Sequence, residues 1–293
     1  MLGILLVFIG ACSYGILSTF VTFAYQDGFT VNEVVGSQMF FGCLLTWALA
    51  LCFKGGRAAK KDWLALFGVG ATVAATGIFY YMCLQFVSAS IAIVLLFQFT
   101  WIGILIDALS KRAIPPKEEL IALLLLVIGT VLAGGVFNSE QHLSFLGIVL
   151  GLLAALSYAL FILFSGRVSL HVNPWRRSAI VMSGSLLLAF IVYPPTFLWS
   201  GALGDGLLLW GGLLALFVVV STVCFTIGVP RIDAGLAIIL SSAELPTAVV
   251  MSRYVLQENV HLLQWIGVAI ILLGIAVPEI YRSKTGSGAV GRS

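Results

Sequence analysis

The chain lines up with itself at an offset of about 145 residues. Leu2-Gly3-Ile4 and Ser13-Tyr14 recur as Leu146-Gly147-Ile148 and Ser157-Tyr158, 144 positions further on. Ala89, Ala92, Leu95 and Gly129 recur as Ala234, Ala237, Leu240 and Gly274, at a shift of 145. Each copy holds five apolar stretches. An odd number means that, if each stretch crosses a bilayer, the second copy enters from the opposite side. The expected fold is an all-α integral membrane protein with ten transmembrane helices in two inverted five-helix repeats. The repeats are residues 1–137 and 145–281, and the Gly/Ser-rich residues 282–293 are expected to form a disordered tail.

Composition supports lipid as the solvent. The chain is 61% hydrophobic and 9% charged, more apolar surface than a soluble domain of this length can hide. A net charge of +3 is too small to suggest a nucleic-acid partner. Cys12, Cys43, Cys52, Cys83 and Cys224 all lie in apolar stretches and form no CxxC pair, so they read as packing residues rather than metal or redox centres. The first stretch has no basic flank and has a partner in mid-chain, so it is expected to be a mature span rather than a signal peptide.

A helix needs about 20 apolar residues to cross roughly 30 Å of hydrocarbon. Spans are expected near 2–25, 34–53, 63–84, 88–108, 119–137, 145–166, 177–198, 207–229, 234–253 and 261–281. The long polar break from Asn138 to Ser144 separates the copies, and Pro194-Pro195 and Pro246 interrupt the seventh and ninth spans. Lys and Arg test this count independently. With the N-terminus inside, fourteen of the fifteen basic residues fall on the inner side: Lys54, Arg57, Lys60, Lys61, Lys111, Arg112, Lys117, Arg167, Arg176, Arg177, Arg231, Arg282, Lys284 and Arg292. Only Arg253 falls outside, with Asp27, Glu33, Glu140, Asp205 and Glu258. This is a strong positive-inside bias, and removing one span, as a seven-helix receptor requires, would scramble it. Both termini are therefore expected in the cytoplasm.

Glu244 is the most informative single residue. It lies about ten residues from either end of the ninth span, hence about 15 Å deep at 1.5 Å per residue, with no Lys or Arg at matching depth. An unpaired carboxylate there must hold its proton or face water, which makes Glu244 a candidate for proton coupling. Pro246 lacks an N–H and clashes with the carbonyl four residues back, so Ser241-Ser242-Ala243-Glu244-Leu245-Pro246 reads as a broken polar segment. Such backbone survives at membrane depth only beside protein or a wet cavity. The repeat offset places Phe97-Gln98-Phe99-Thr100-Trp101 at the same depth in the fourth span. Gln98 offers donors and an acceptor to a solute, and Trp101 a flat surface with one N–H; the alternative is that Gln98 bonds across helices and Trp101 fills space. Tyr80 and Tyr81, the paired Tyr14 and Tyr158, and Gln38 are weaker candidates, with helix-to-helix hydrogen bonding as the alternative. Asp107 is expected to be solvated or paired with Lys111. Gly147-x-x-x-Gly151 and Ala11-x-x-x-Gly15 are at helix-packing spacing, in corresponding spans of the two copies.

The paired five-helix pattern resembles the EamA-type carriers of the drug/metabolite transporter superfamily over nearly the whole chain. The ninth span with Pro246, Leu256-Gln257-Glu258, Gln264, Gly267 and Gly274 carry that resemblance in the second half. The first half departs from it, with Trp101 where a proline is usual and Lys111-Arg112 near the usual acidic turn. The resemblance implies a central cavity lined by the first, third, fourth, sixth, eighth and ninth spans. It also implies export of amino acids or related metabolites across a bacterial inner membrane.

These readings make the chain a secondary active carrier working by alternating access. Its partners are a small-molecule substrate, the lipid bilayer and, as the coupling candidate, protons; monomer and homodimer both stay open. Gln98, Glu244, Ser241 and Ser242 would meet polar groups, and Tyr14, Tyr80, Tyr81, Trp101 and Tyr158 would line the rest. No cofactor or metal is expected. Export of cationic drugs or amines is the alternative solute class, compatible with a lone carboxylate. A passive channel would need rows of pore charge, and an intramembrane enzyme would need acids, histidines or metal ligands gathered at one depth; the sequence has neither pattern.

Overall fold

The computed structural model describes residues 1–53, 58–87, 89–134, 144–257 and 259–286. Lys54, Arg57, Glu140, His142, Glu258, Arg292 and most of the break at 138–144 lie outside them. Among the described residues the regular elements are helical, with no strand. The first half comprises α1 (Leu2–Gln26), α2 (Val31–Cys52), α3 (Lys60–Cys83), α4 (Ala89–Leu96), α5 (Phe99–Lys111) and α6 (Lys117–Ala133). The second comprises α7 (Phe145–Ser165), α8 (Pro174–Val192), α9 (Leu208–Gly228), α10 (Ala234–Ser241), α11 (Glu244–Tyr254) and α12 (Leu262–Gly286).

Eight helical stretches are long and apolar enough to cross a membrane by length and composition, three of them (Ile91–Lys111, Leu203–Arg231 and Ala234–Tyr254) taken across a break or kink. The 17-residue α6 and the apolar part of α12, Leu262–Pro278, are shorter. The boundaries follow local chemistry. Thr30 and Glu33 form a reciprocal capping box that starts α2. The Asp62 carboxylate accepts from the Ala59 N–H at 2.9 Å at the start of α3. Asn173 caps α8 with Pro174 at its first position. That helix ends at Val192, short of the expected 198, because residues before Pro194-Pro195 are pushed out of helical geometry. In turn, α12 runs to Gly286, five residues into the stretch expected to be disordered; residues 287–293 lie outside the described set.

The principal packing partners come in pairs that the sequence offset exchanges. The offset carries α1 onto α7 and α3 onto α9; α1 packs on α9, and α7 on α3. Likewise α1 packs on α11 and α7 on α5, while α2 pairs with α8 and α6 with α12. Here α1 and α9 run antiparallel. Gly3 sits beside Gly228, Gly10 beside Cys224, and the Ser13 hydroxyl donates to the Phe217 carbonyl at 2.9 Å. Without a hydrophobic drive between helices in lipid, close approach depends on small side chains. A Cβ on Gly70 of α3 would run into the Val181 carbonyl of α8, and one on Gly184 would stand 2.6 Å from the Phe67 carbonyl.

Candidate functional site

The site is built around a helix break. α10 ends at Ser241 and α11 restarts at Glu244, with Ser242 and Ala243 between them. Pro246 explains the interruption, since it can donate no hydrogen bond at that turn. Glu244 therefore sits in the first turn of α11, where a carboxylate suits the positive end of the helix dipole. A second break separates α4 from α5 at Phe97 and Gln98. The 145-residue offset carries those two residues onto Ser242 and Ala243. The first-half break forms without a proline. There the Gln98 Nε2 donates to the Val94 carbonyl at 2.8 Å, while the Gln98 N–H turns to the Leu95 carbonyl at 3.1 Å.

Beside these breaks lies a cavity of about 420 Å³, within the range of small-molecule sites. Its wall runs from Tyr14 to Tyr25 on α1 and from Val73 on α3 to Leu84 just past its end, so it extends from mid-length toward the Gln26 end of α1. Tyr14, Tyr80, Tyr81, Tyr158 and Glu244 all line it. Helix α2, absent from the expected list of walls, contributes Val35, Gln38 and Met39. Tyr25 is a further lining ring that sequence reading missed; its position near the end of α1 looks interfacial unless the cavity is known to reach that far.

Four expected residues are not on this wall. Gln98 is folded back on its own helix, and its Oε1 accepts from the Trp101 indole N–H at 2.8 Å. Trp101 is 39% exposed on the outside of the bundle. Ser241 is fully buried and donates to the Ala237 carbonyl at 2.7 Å, and Ser242 is fully buried in the core. All four lie at or next to the two breaks, but their side chains turn away from the cavity.

Glu244 accepts from the Tyr158 hydroxyl at 3.0 Å. The Tyr158 ring meets Tyr14 edge-on, with centroids 6.2 Å apart and planes at 84°. Gly15 of α1 lets these elements meet: a Cβ there would stand 2.5 Å from the Glu244 carbonyl oxygen and 2.7 Å from Thr247 Cβ. The wall hydroxyls of Ser18, Thr22 and Thr76 are spent on carbonyls of their own helices. Glu244 is the one ionised-type side chain on the wall, which carries no Lys, Arg or His among the described residues.

Toward the Met1 end the cavity is closed. Phe97, Phe99, Phe161 and Phe225 are buried in a contiguous aromatic layer, with Phe99 against Tyr158 at 4.7 Å and Phe161 against Phe225 at 5.7 Å. Beyond it lies an ion-pair network. Lys111 reaches both Asp107 and Asp233 at 2.7 Å, and Arg167 pairs with Asp107 and bonds to the Ser110 hydroxyl. The Asp107–Lys111 pair matches the expectation from spacing along one helix. Nothing in the sequence indicated Asp233 and Arg167, which come from the start of α10 and the end of α7.

Comparison with known proteins gives a consistent picture. Residues 1–135 and 145–277 each match the model of the EamA-like transporter family. The uncharacterized transporter YcbK of Bacillus subtilis (strain 168) is 25% identical over 296 residues, covering 97% of this chain and 95% of the relative. An uncharacterized transporter of Archaeoglobus fulgidus is 28% identical over 270 residues, covering 92% and 93%. One solved structure shares the fold with a TM-score of 0.75 over 93% of this chain and 97% of the other, at 17% identity.

Proposed function

Because the chain belongs to the EamA-like transporter family, within the drug/metabolite transporter superfamily, we propose that this multi-pass membrane protein is a secondary active carrier exporting a small metabolite. The reading takes α1–α6 and α7–α12 as two inverted five-span repeats, ten spans in all, rocking against each other. The exchange of packing partners between the halves supports it, as do the matched breaks at Phe97-Gln98 and Ser242-Ala243. Discontinuous helices meeting near mid-membrane are how many secondary carriers build a solute site.

The observation that carries the proposal is a cavity closed at one end and extending toward the other, with Glu244 at its inner end. The reading follows the charge bias of the loops in taking both termini as cytoplasmic, which makes the sealed Met1 end the inner one. In this arrangement the cavity faces outward, as a carrier would after releasing an exported solute. Glu244 binds the polar end of the solute and is the candidate to exchange a proton for it. Tyr14, Tyr80, Tyr81 and Tyr158 flank the apolar part. Amino acids and related amines form the solute class to test first.

The test is counterflow in proteoliposomes with a labelled panel of amino acids and amines. Saturable uptake stimulated by solute on the opposite side supports a carrier. Flux that never saturates and shows no trans-stimulation contradicts it.

A further inference from the structure

Resting on the carrier reading, we propose that the cavity selects an organic cation with an aromatic or apolar body and no free carboxylate, in preference to a zwitterionic amino acid.

The first argument is charge. Glu244 is the sole acid among the described residues of the wall, and no basic side chain faces it there. Toward the Met1 end, Lys111 and Arg167 lie beyond the aromatic layer and are engaged by Asp107 and Asp233, and Arg177 is held by the Ser165 and Thr226 carbonyls. A solute ammonium would find a carboxylate. A solute carboxylate would give up its water and find no cation, which is a heavy penalty in an apolar site.

The second argument removes the other source of anion binding. A broken helix often offers its free N–H groups to a solute carboxylate. In α11 two of those donors are engaged and a third is missing. The Leu245 N–H goes to the Ser242 carbonyl at 3.3 Å and the Thr247 N–H to the Ala243 carbonyl at 3.2 Å. Pro246 has none, and Glu244 itself places a negative charge at that helix end.

The third argument is the wall. Tyr14, Tyr25, Tyr80, Tyr81 and Tyr158 come from α1, α3 and α7 and present five rings to one space. Aromatic faces attract cations through their quadrupole, and do so most strongly where water is excluded. The remaining wall is largely aliphatic, with Val35, Met39, Val73 and Ile93, which suits an apolar body. Gln38 adds one amide for a neutral polar group.

Three probes that share a ring and an amine isolate the carboxylate: phenethylamine, phenylalanine methyl ester and phenylalanine. Each is tested in wild-type proteoliposomes for saturable counterflow and for competition against a labelled amine. The expected result is that phenethylamine and the ester exchange and compete, while phenylalanine is at least tenfold weaker. Tyr80→Leu should weaken the two cations several-fold, whereas Tyr80→Phe, which keeps the ring, should not. Phenylalanine exchanging as well as its ester would overturn the inference and leave the carrier reading standing. Saturable exchange by none of these probes, nor by the wider solute panel, would overturn both.

Discussion

The Tyr158 hydroxyl donates to Glu244 Oε2 across 3.0 Å, and through that bond α7 holds the carboxylate at the start of α11 within the second half. The same ring stands edge-on to Tyr14, its counterpart at the 144-residue offset. The cavity's polar end is thus fixed by a residue pair related by the repeat.

Tyr158→Phe keeps the ring contacts and removes only the donor. A hydroxyl bonded to a carboxylate contributes about 1.5–3 kcal/mol when the acceptor is charged. The variant should fold, show a lower thermal midpoint in detergent, and bind solute up to about tenfold more weakly, since Glu244 loses its orientation. Thermal unfolding with and without solute checks both effects.

Gly15→Val should separate α1 from α11. Even the first added carbon would stand 2.5 Å from the Glu244 carbonyl oxygen, against backbone that cannot swing aside. Overpacking of this kind costs about 1–3 kcal/mol. Transport should fall more than stability does, because the displaced backbone carries Glu244. Parallel measurement of transport rate and melting separates the two.

The Met1 end should loosen most when Asp107 is changed. Its side chain is 6% exposed and serves both Lys111 and Arg167, whereas the Lys111 side chain is 43% exposed. Half-exposed ion pairs contribute about 1 kcal/mol or less. Asp107→Asn should therefore raise hydrogen exchange in residues 105–112 and 229–236 several-fold, and Lys111→Ala should do so less. Equal protection in Asp107→Asn and the wild type would remove the network from the closing of this end.

Arg177 is buried, and its guanidinium donates to the Ser165 carbonyl at 2.6 Å and the Thr226 carbonyl at 3.3 Å. These carbonyls lie at the ends of α7 and α9, where a cation also suits the helix dipoles. Arg177→Met leaves both without a donor and should destabilise the protein by about 1–3 kcal/mol. Solute selectivity should be unchanged, because the cavity is elsewhere. Melting and the probe ranking measured together check this.

Much of the architecture was legible because a bilayer imposes length and depth. Spans appear as apolar runs, Pro246 marks its own break, and the isolated Glu244 announces its depth. Rotation about the helix axis was less legible, because packing sets it. Gln98 and Trp101 sit at the first-half break, yet they bond to each other, three positions apart. That spacing was visible and favours local pairing. The break before Phe99 has no proline, so only the repeat offset to Ser242-Ala243 pointed toward it. Asp233 and Arg167 meet Asp107 from distant parts of the chain, a proximity that no local pattern encodes.

The most direct measurement is solute counterflow across a range of pH in proteoliposomes of the wild type and Glu244→Gln, a nearly isosteric change that removes the charge. The account predicts saturable, pH-dependent exchange by the wild type. In the variant, affinity should fall at least tenfold and the pH dependence should disappear. Unchanged affinity together with unchanged pH dependence would make Glu244 a structural residue and contradict the account.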